Sequence, residues 1–140
     1  KKRGKRIVTT AVEHPSVLET IKKLQADGFE VIFLKPQSNG VVSADDLRSA
    51  INQNTILVSI MLVNNETGAV MPVDKIGAIL KRVAPRALFH VDAVQSFGHI
   101  PFKPNQWKID LASVSSHTRM VNANRLQVHA LAYNIFNCFR

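Results

Sequence analysis

Short apolar runs rich in β-branched residues recur along the chain, and between them lie segments whose apolar residues return every three or four positions. Ile7 to Thr10, bounded by Gly4 and His14-Pro15, predicts a strand. Pro15 then signals a helix start, Val17, Leu18, Ile21 and Leu24 share one helical face, and Gly28 supplies the stop. Glu30 to Leu34 repeats the strand pattern, and Pro36 to Gly40 is turn chemistry. Ser43, with Asp46 three residues on, resembles a capping box opening a helix to about Asn52, with Leu47, Ala50 and Ile51 inward. Ile56 to Val63 is nearly continuous in apolar residues, the pattern of a parallel strand covered on both faces. After Asn64 to Gly68, Pro72 is placed to begin a helix carrying Ile76, Ile79, Leu80 and Val83. Ala87 to Asp92 and Ile109 to Val114 are the remaining strands. Strands alternating with single helices predict right-handed crossovers, hence an α/β fold with a mainly parallel sheet and flanking helices.

The polar residues that follow these runs carry the candidate chemistry. They are His14, Asn65, Asp92 with Gln95 three residues later, and Ser115 with His117. In a parallel sheet they gather at the carboxyl edge, where open α/β folds bind ligands. A carboxylate at the mouth of a buried strand is costly to desolvate, so a positive group is expected opposite Asp92. Such a set suits an aromatic cofactor with a ring nitrogen and a phosphate. Asp92 would keep the pyridine nitrogen protonated, Gln95 and Asn65 would donate to a ring oxygen, His14 would lie against the ring, and Ser115 with His117 would hold the phosphate. Taken alone, His14 is more often a capping or packed histidine. A metal site from His14, His90, Asp92 and His117 is set aside, because no pair has the close helical spacing of a zinc motif.

Charge narrows the partners. The formal net charge of +8 suggests nucleic acid until it is located. Lys1, Lys2, Arg3, Lys5 and Arg6 open the chain, Arg119, Arg125 and Arg140 close it, and residues 7–117 hold ten Lys/Arg against ten Asp/Glu. The basic ends carry no interleaved aromatics and read as solvated, so no nucleic-acid partner is expected. The longest apolar run is about eight residues, far short of the roughly 20 that cross a bilayer. Cys138 is the only cysteine, which excludes an internal disulfide, suits a cytoplasmic setting and reads as a packed or exposed free thiol. The first residue is Lys, so a piece of a longer reading frame is expected.

Four stretches resemble successive motifs of the cysteine desulfurases, pyridoxal-phosphate enzymes of the class V aminotransferase group. They are Thr9-Thr10-Ala11-Val12-Glu13-His14-Pro15-Ser16-Val17, Met61-Leu62-Val63-Asn64-Asn65-Glu66-Thr67-Gly68, His90-Val91-Asp92-Ala93-Val94-Gln95-Ser96 and Ser113-Val114-Ser115-Ser116-His117. The resemblance covers roughly residues 5–117, in the family's order and spacing. It implies a central fragment of a fold type I large domain over residues 1–117. It also implies that His14 stacks on pyridoxal 5'-phosphate and takes part in proton transfer, and that Asp92 pairs with the pyridine nitrogen. Asn65 and Gln95 would bond the ring hydroxyl oxygen, and Ser115 and His117 the phosphate. The implied reaction removes sulfur from L-cysteine, leaving L-alanine and an enzyme persulfide. A homodimer would deliver that sulfur to an acceptor protein for iron-sulfur clusters, thio-cofactors or tRNA thiolation. Selenocysteine lyase, a class V aminotransferase or another pyridoxal-phosphate lyase, and a non-catalytic relic are the alternatives.

Two departures qualify the resemblance. Thr118 stands where the family has its Schiff-base lysine, and residues 118–140 contain neither the Gly nor the Pro of the family's next turn. This unmatched tail reads as a shifted reading frame, and Val121, Leu126, Leu131, Ile135 and Phe139 give it only a loose helical face. The family's upstream Gly-Thr-Glu phosphate segment and its downstream loop with the persulfide cysteine have no counterpart, and the surroundings of Cys138 do not resemble that loop.

Overall fold

The structure is a computed structural model and describes residues 4–114. Its elements are β1 (Arg6–Thr10), α1 (Pro15–Ala26), β2 (Glu30–Leu34), α2 (Ala44–Ala50), β3 (Thr55–Met61), α3 (Val73–Val83), β4 (Leu88–Asp92) and β5 (Leu111–Ser113). The strands form one sheet in the order β2-β1-β3-β4-β5, and every pairing is parallel. The α/β class and the parallel sheet expected from the pattern are therefore present.

The crossover from β1 to β2 runs one way along the sheet, and those from β2 to β3 and β3 to β4 run the other. Right-handed connections must then place α1 on one face and α2 with α3 on the opposite one. The buried clusters divide accordingly. Val8, Leu47, Val58, Ile76, Leu80 and Phe89 belong to one, while Ile7, Val17, Ile21, Leu24 and Leu57 belong to the other.

Local signals set the helix ends. The Ser43 side chain accepts the Asp45 and Asp46 amides at 3.1 and 3.5 Å, capping α2. Gly28 sits at φ +93°, the left-handed turn that ends α1 and leads into β2. Within α3, a Cβ at Gly77 would collide with the Trp107 carbonyl, so the helix needs a glycine to lie this close to the segment before β5.

That segment departs from the expected alternation, because β4 and β5 are joined by turns rather than by a helix. Pro101 and Pro104 lack amide donors, and Gly98 and Lys108 take positive φ. Phe97, Phe102 and Trp107 instead stack edge to face, with centroids 6.2 and 5.9 Å apart. Asp110 fixes the far end, its Oδ2 accepting from Lys81 Nζ and from the Phe89 amide, each at 2.8 Å. Among the described residues no helix is long and apolar enough to cross a membrane.

Candidate functional site

The carboxyl ends of β1 and β3 flank the point where the crossovers change direction, which is where folds of this topology place their ligand crevice. His14 lies in the turn after β1 and caps α1. The Ser16 amide donates to its Nδ1 at 3.3 Å, and the Ser16 hydroxyl lies 2.7 Å from the same atom. An Nδ1 that accepts carries no proton, so the neutral ring holds its proton on Nε2.

Glu13, one residue earlier, is buried at 3% exposure. Its Oε1 accepts from Thr10 Oγ1 at 2.6 Å and from the Met61 amide at 2.9 Å, joining the ends of β1 and β3. Its Oε2 is buried without a hydrogen-bond partner. Burial pushes the carboxyl up to about 8, against the pull of the Thr10 hydroxyl and the Met61 amide, and Asp92 adds a small upward push. The sequence reading passed over Glu13. The available signal was an acidic residue held between a buried strand and the helix cap.

Asn64 and Asn65 divide their work. Asn64 is buried; its amide nitrogen donates to the Val12 carbonyl at 3.0 Å, and its Oδ1 accepts from the Glu66 and Thr67 amides at 3.0 and 2.8 Å. It builds the turn after β3 and ties it to the turn after β1. Asn65, the sequence candidate, is exposed beside it.

Asp92 ends β4 half-buried, its Oδ1 accepting from the Val94 amide at 3.0 Å. Burial pushes its carboxyl above the ordinary range, and the Val94 amide pulls it back, with a smaller pull from His14 when that ring is protonated. The ion pairs found among the described residues, Arg6–Glu30 and Lys81–Asp110, lie elsewhere, so the positive group expected opposite Asp92 is not a lysine or arginine of this region. Gln95 is exposed on the turn that follows. Ser115, His117 and Thr118 lie outside the described residues, as does Cys138.

Below Asp92 runs a polar layer. His90 is buried between Ser59 Oγ, 2.9 Å from its Nδ1, and Ser113 Oγ, 3.1 Å from its Nε2, and Thr9 Oγ1 donates to the Ser59 carbonyl at 2.9 Å. Desolvation lowers the imidazole to about 4, so His90 is neutral. The sequence offered it only as a metal ligand, whereas here both ring nitrogens face serine hydroxyls.

Comparison with known proteins places this arrangement in a family. The chain is 44% identical over 116 residues to the cysteine desulfurase IscS of Shewanella loihica, covering 83% of this chain and 28% of that protein. It is 47% identical over 113 residues to a mitochondrial cysteine desulfurase of Arthroderma benhamiae, covering 81% and 22%. The chain thus spans less than a third of the length of these curated relatives. Among solved structures, a NifS-like protein superposes with a TM-score of 0.79 at 44% identity, over 84% of this chain and 32% of that one. SspA in complex with cysteine gives 0.77 at 37% identity, over 84% and 33%. The aminotransferase class-V profile matches residues 1–123, and the chain belongs to that family.

Proposed function

We propose that the intact protein is a pyridoxal-phosphate-dependent cysteine desulfurase, and that this chain supplies the central part of its large domain. The observation that carries the reading is Asp92, a partly desolvated carboxyl group at the carboxyl edge of the sheet that no lysine or arginine among the described residues pairs. Such a group fits the protonated ring nitrogen of a pyridine.

When bound, the cofactor supplies an electron sink for charge developing at the substrate's α-carbon. Asp92 would hold the ring nitrogen in its charged form. Asn65 and Gln95, both exposed on the turns after β3 and β4, would donate to the ring hydroxyl oxygen. His14 would cover the ring and move a proton at Nε2, the nitrogen its contacts with Ser16 leave available. Ser115 and His117, which lie outside the described residues, would hold the phosphate. L-cysteine is the substrate, a reading supported by the relatives' names and by the cysteine complex of SspA. A homodimer passing sulfur to an acceptor protein in the cytoplasm completes the proposal.

Thr118 favours a second reading for this chain itself: a non-catalytic relic that retains the binding edge but has no amine at the position where the family's lysine stands. Sequencing the DNA around that codon tests the origin of the tail, since a lysine followed by a Gly/Pro-rich segment in another frame is expected.

The binding test titrates the purified chain with pyridoxal phosphate and follows the cofactor's absorbance. Losing a charge-assisted hydrogen bond costs about 1.5–3 kcal/mol, so Asp92→Ala should weaken affinity roughly 10- to 100-fold. Equal affinities of the two proteins would overturn the reading. Alanine and sulfide formation by the unaltered chain should not exceed the rate with cofactor alone.

A further inference from the structure

Glu13 is the one acidic group among the described residues with a buried oxygen that nothing answers. Its two oxygens are in unlike positions. Oε1 receives two donors, Thr10 Oγ1 and the Met61 amide, as a carbonyl oxygen can, while Oε2 receives none. An ionised carboxylate would leave half its charge buried against no donor, a far greater cost than burying an O–H without an acceptor.

We propose that Glu13 is a neutral carboxylic acid, protonated on Oε2, that clamps the end of β1 to the end of β3 and leaves Asp92 as the charged carboxylate of the crevice. The polar contacts of Glu13 are Thr10 on β1 and Met61 on β3; Asp92 on β4 is the charged group acting on it, and His14 follows it in the chain. A charged Glu13 would put a second negative group beside Asp92 and raise the tendency of one of them to take up a proton, as like charges sharing a site do. Neutral, it holds the turn that presents His14 without competing for a cation. Glu13 is thus a positioning residue. Its protonation stands on the geometry of this chain, and its service to ligand binding rests on the pyridoxal-phosphate reading above.

Denaturant unfolding of the full chain and of Glu13→Gln across pH provides the test. A carboxyl that folding raises from the ordinary 4.5 to about 8 binds more protons in the native state, so its stabilisation declines as pH rises between those values. His90, lowered from 6.5 to about 4, acts mainly below pH 6.5 and alike in both proteins. Between pH 6.5 and 8 the wild-type midpoint should therefore fall relative to that of Glu13→Gln. Parallel curves in that window would overturn the proposal. Should the variant not fold, carboxyl-carbon NMR of the wild type decides: at pH 7 the Glu13 resonance is expected at the protonated position and that of Asp92 at the ionised one, and an ionised Glu13 refutes the assignment. For pyridoxal-phosphate affinity, Glu13→Ala should lose on the order of tenfold, as loss of groups that orient a ligand's direct contacts often does, and Glu13→Gln should recover it. If Asp92→Ala leaves affinity unchanged while the pH curves separate, the cofactor reading fails and the protonation of Glu13 stands.

Discussion

The two faces of the sheet come from the same strands and are built differently. Toward α2 and α3 the strands project Val8, Val58, Ile60, Phe89 and Val91, all fully buried. Toward α1 they begin apolar with Ile7, Leu57 and Leu88, turn polar at Thr9, Ser59 and His90, and reach Asp92 at the edge. Alternation along a strand permits this separation, since each residue commits to one face. One face holds the domain together. The other gives up some apolar burial so that a hydrogen-bonded layer supports the carboxylate above it.

If that contrast is right, the largest loss of stability should come from the apolar face. Phe89→Ala is expected to destabilise by about 3–5 kcal/mol, a large part of the stability of an ordinary domain, measured by denaturant unfolding. Affinity for any ligand at the edge should follow only the folded fraction. On the polar face His90→Leu is expected to cost about 1–3 kcal/mol, because it leaves the Ser59 and Ser113 hydroxyls without their partner. It should also change the acid limb. A histidine lowered from 6.5 to about 4 makes the wild type lose stability as pH falls through that interval, since the unfolded chain takes up the proton first. The variant should lack this component, and identical acid limbs would show that His90 is not buried as a neutral ring. Ser113→Ala should produce the smallest effect, about 1 kcal/mol, with the acid limb retained. A larger loss from Ser113→Ala than from Phe89→Ala would reverse the division of labour between the faces.

The sequence made the scaffold legible because strand and helix periods differ and the turn residues fall between them. Gly28, Ser43 and Pro72 each mark an element end that the structure contains. Strand-end polar residues pointed to His14 and Asp92, since a polar group closing an apolar run must meet water, a backbone cap or a ligand there. What stayed hidden depended on three-dimensional neighbours. Glu13 resembled any acidic turn residue until Met61, 48 positions away, supplied its second donor. Asn64 and Asn65 are chemically identical in sequence, and only packing assigns one to the turn and the other to solvent. The alternation of strands and helices implied a helix between β4 and β5, but the prolines and positive-φ positions of that link exclude one.

The place of β1 in the sheet bears on how the chain comes off the ribosome. β1 lies between β2 and β3, and its pairing with β3 joins Val8 to Val58 and Thr9 to Ser59. One edge of β1 can be satisfied once β2 has been made, but the other must wait about 50 residues for its partner, with open amides and carbonyls on an apolar strand. At synthesis rates of about 5–20 residues per second, that interval lasts several seconds. During it the nascent segment presents the kind of unpaired edge that recruits other chains. A pause in translation between β2 and β3 should therefore increase aggregation or chaperone occupancy more than an equal pause after β4, when the central strands have all been made.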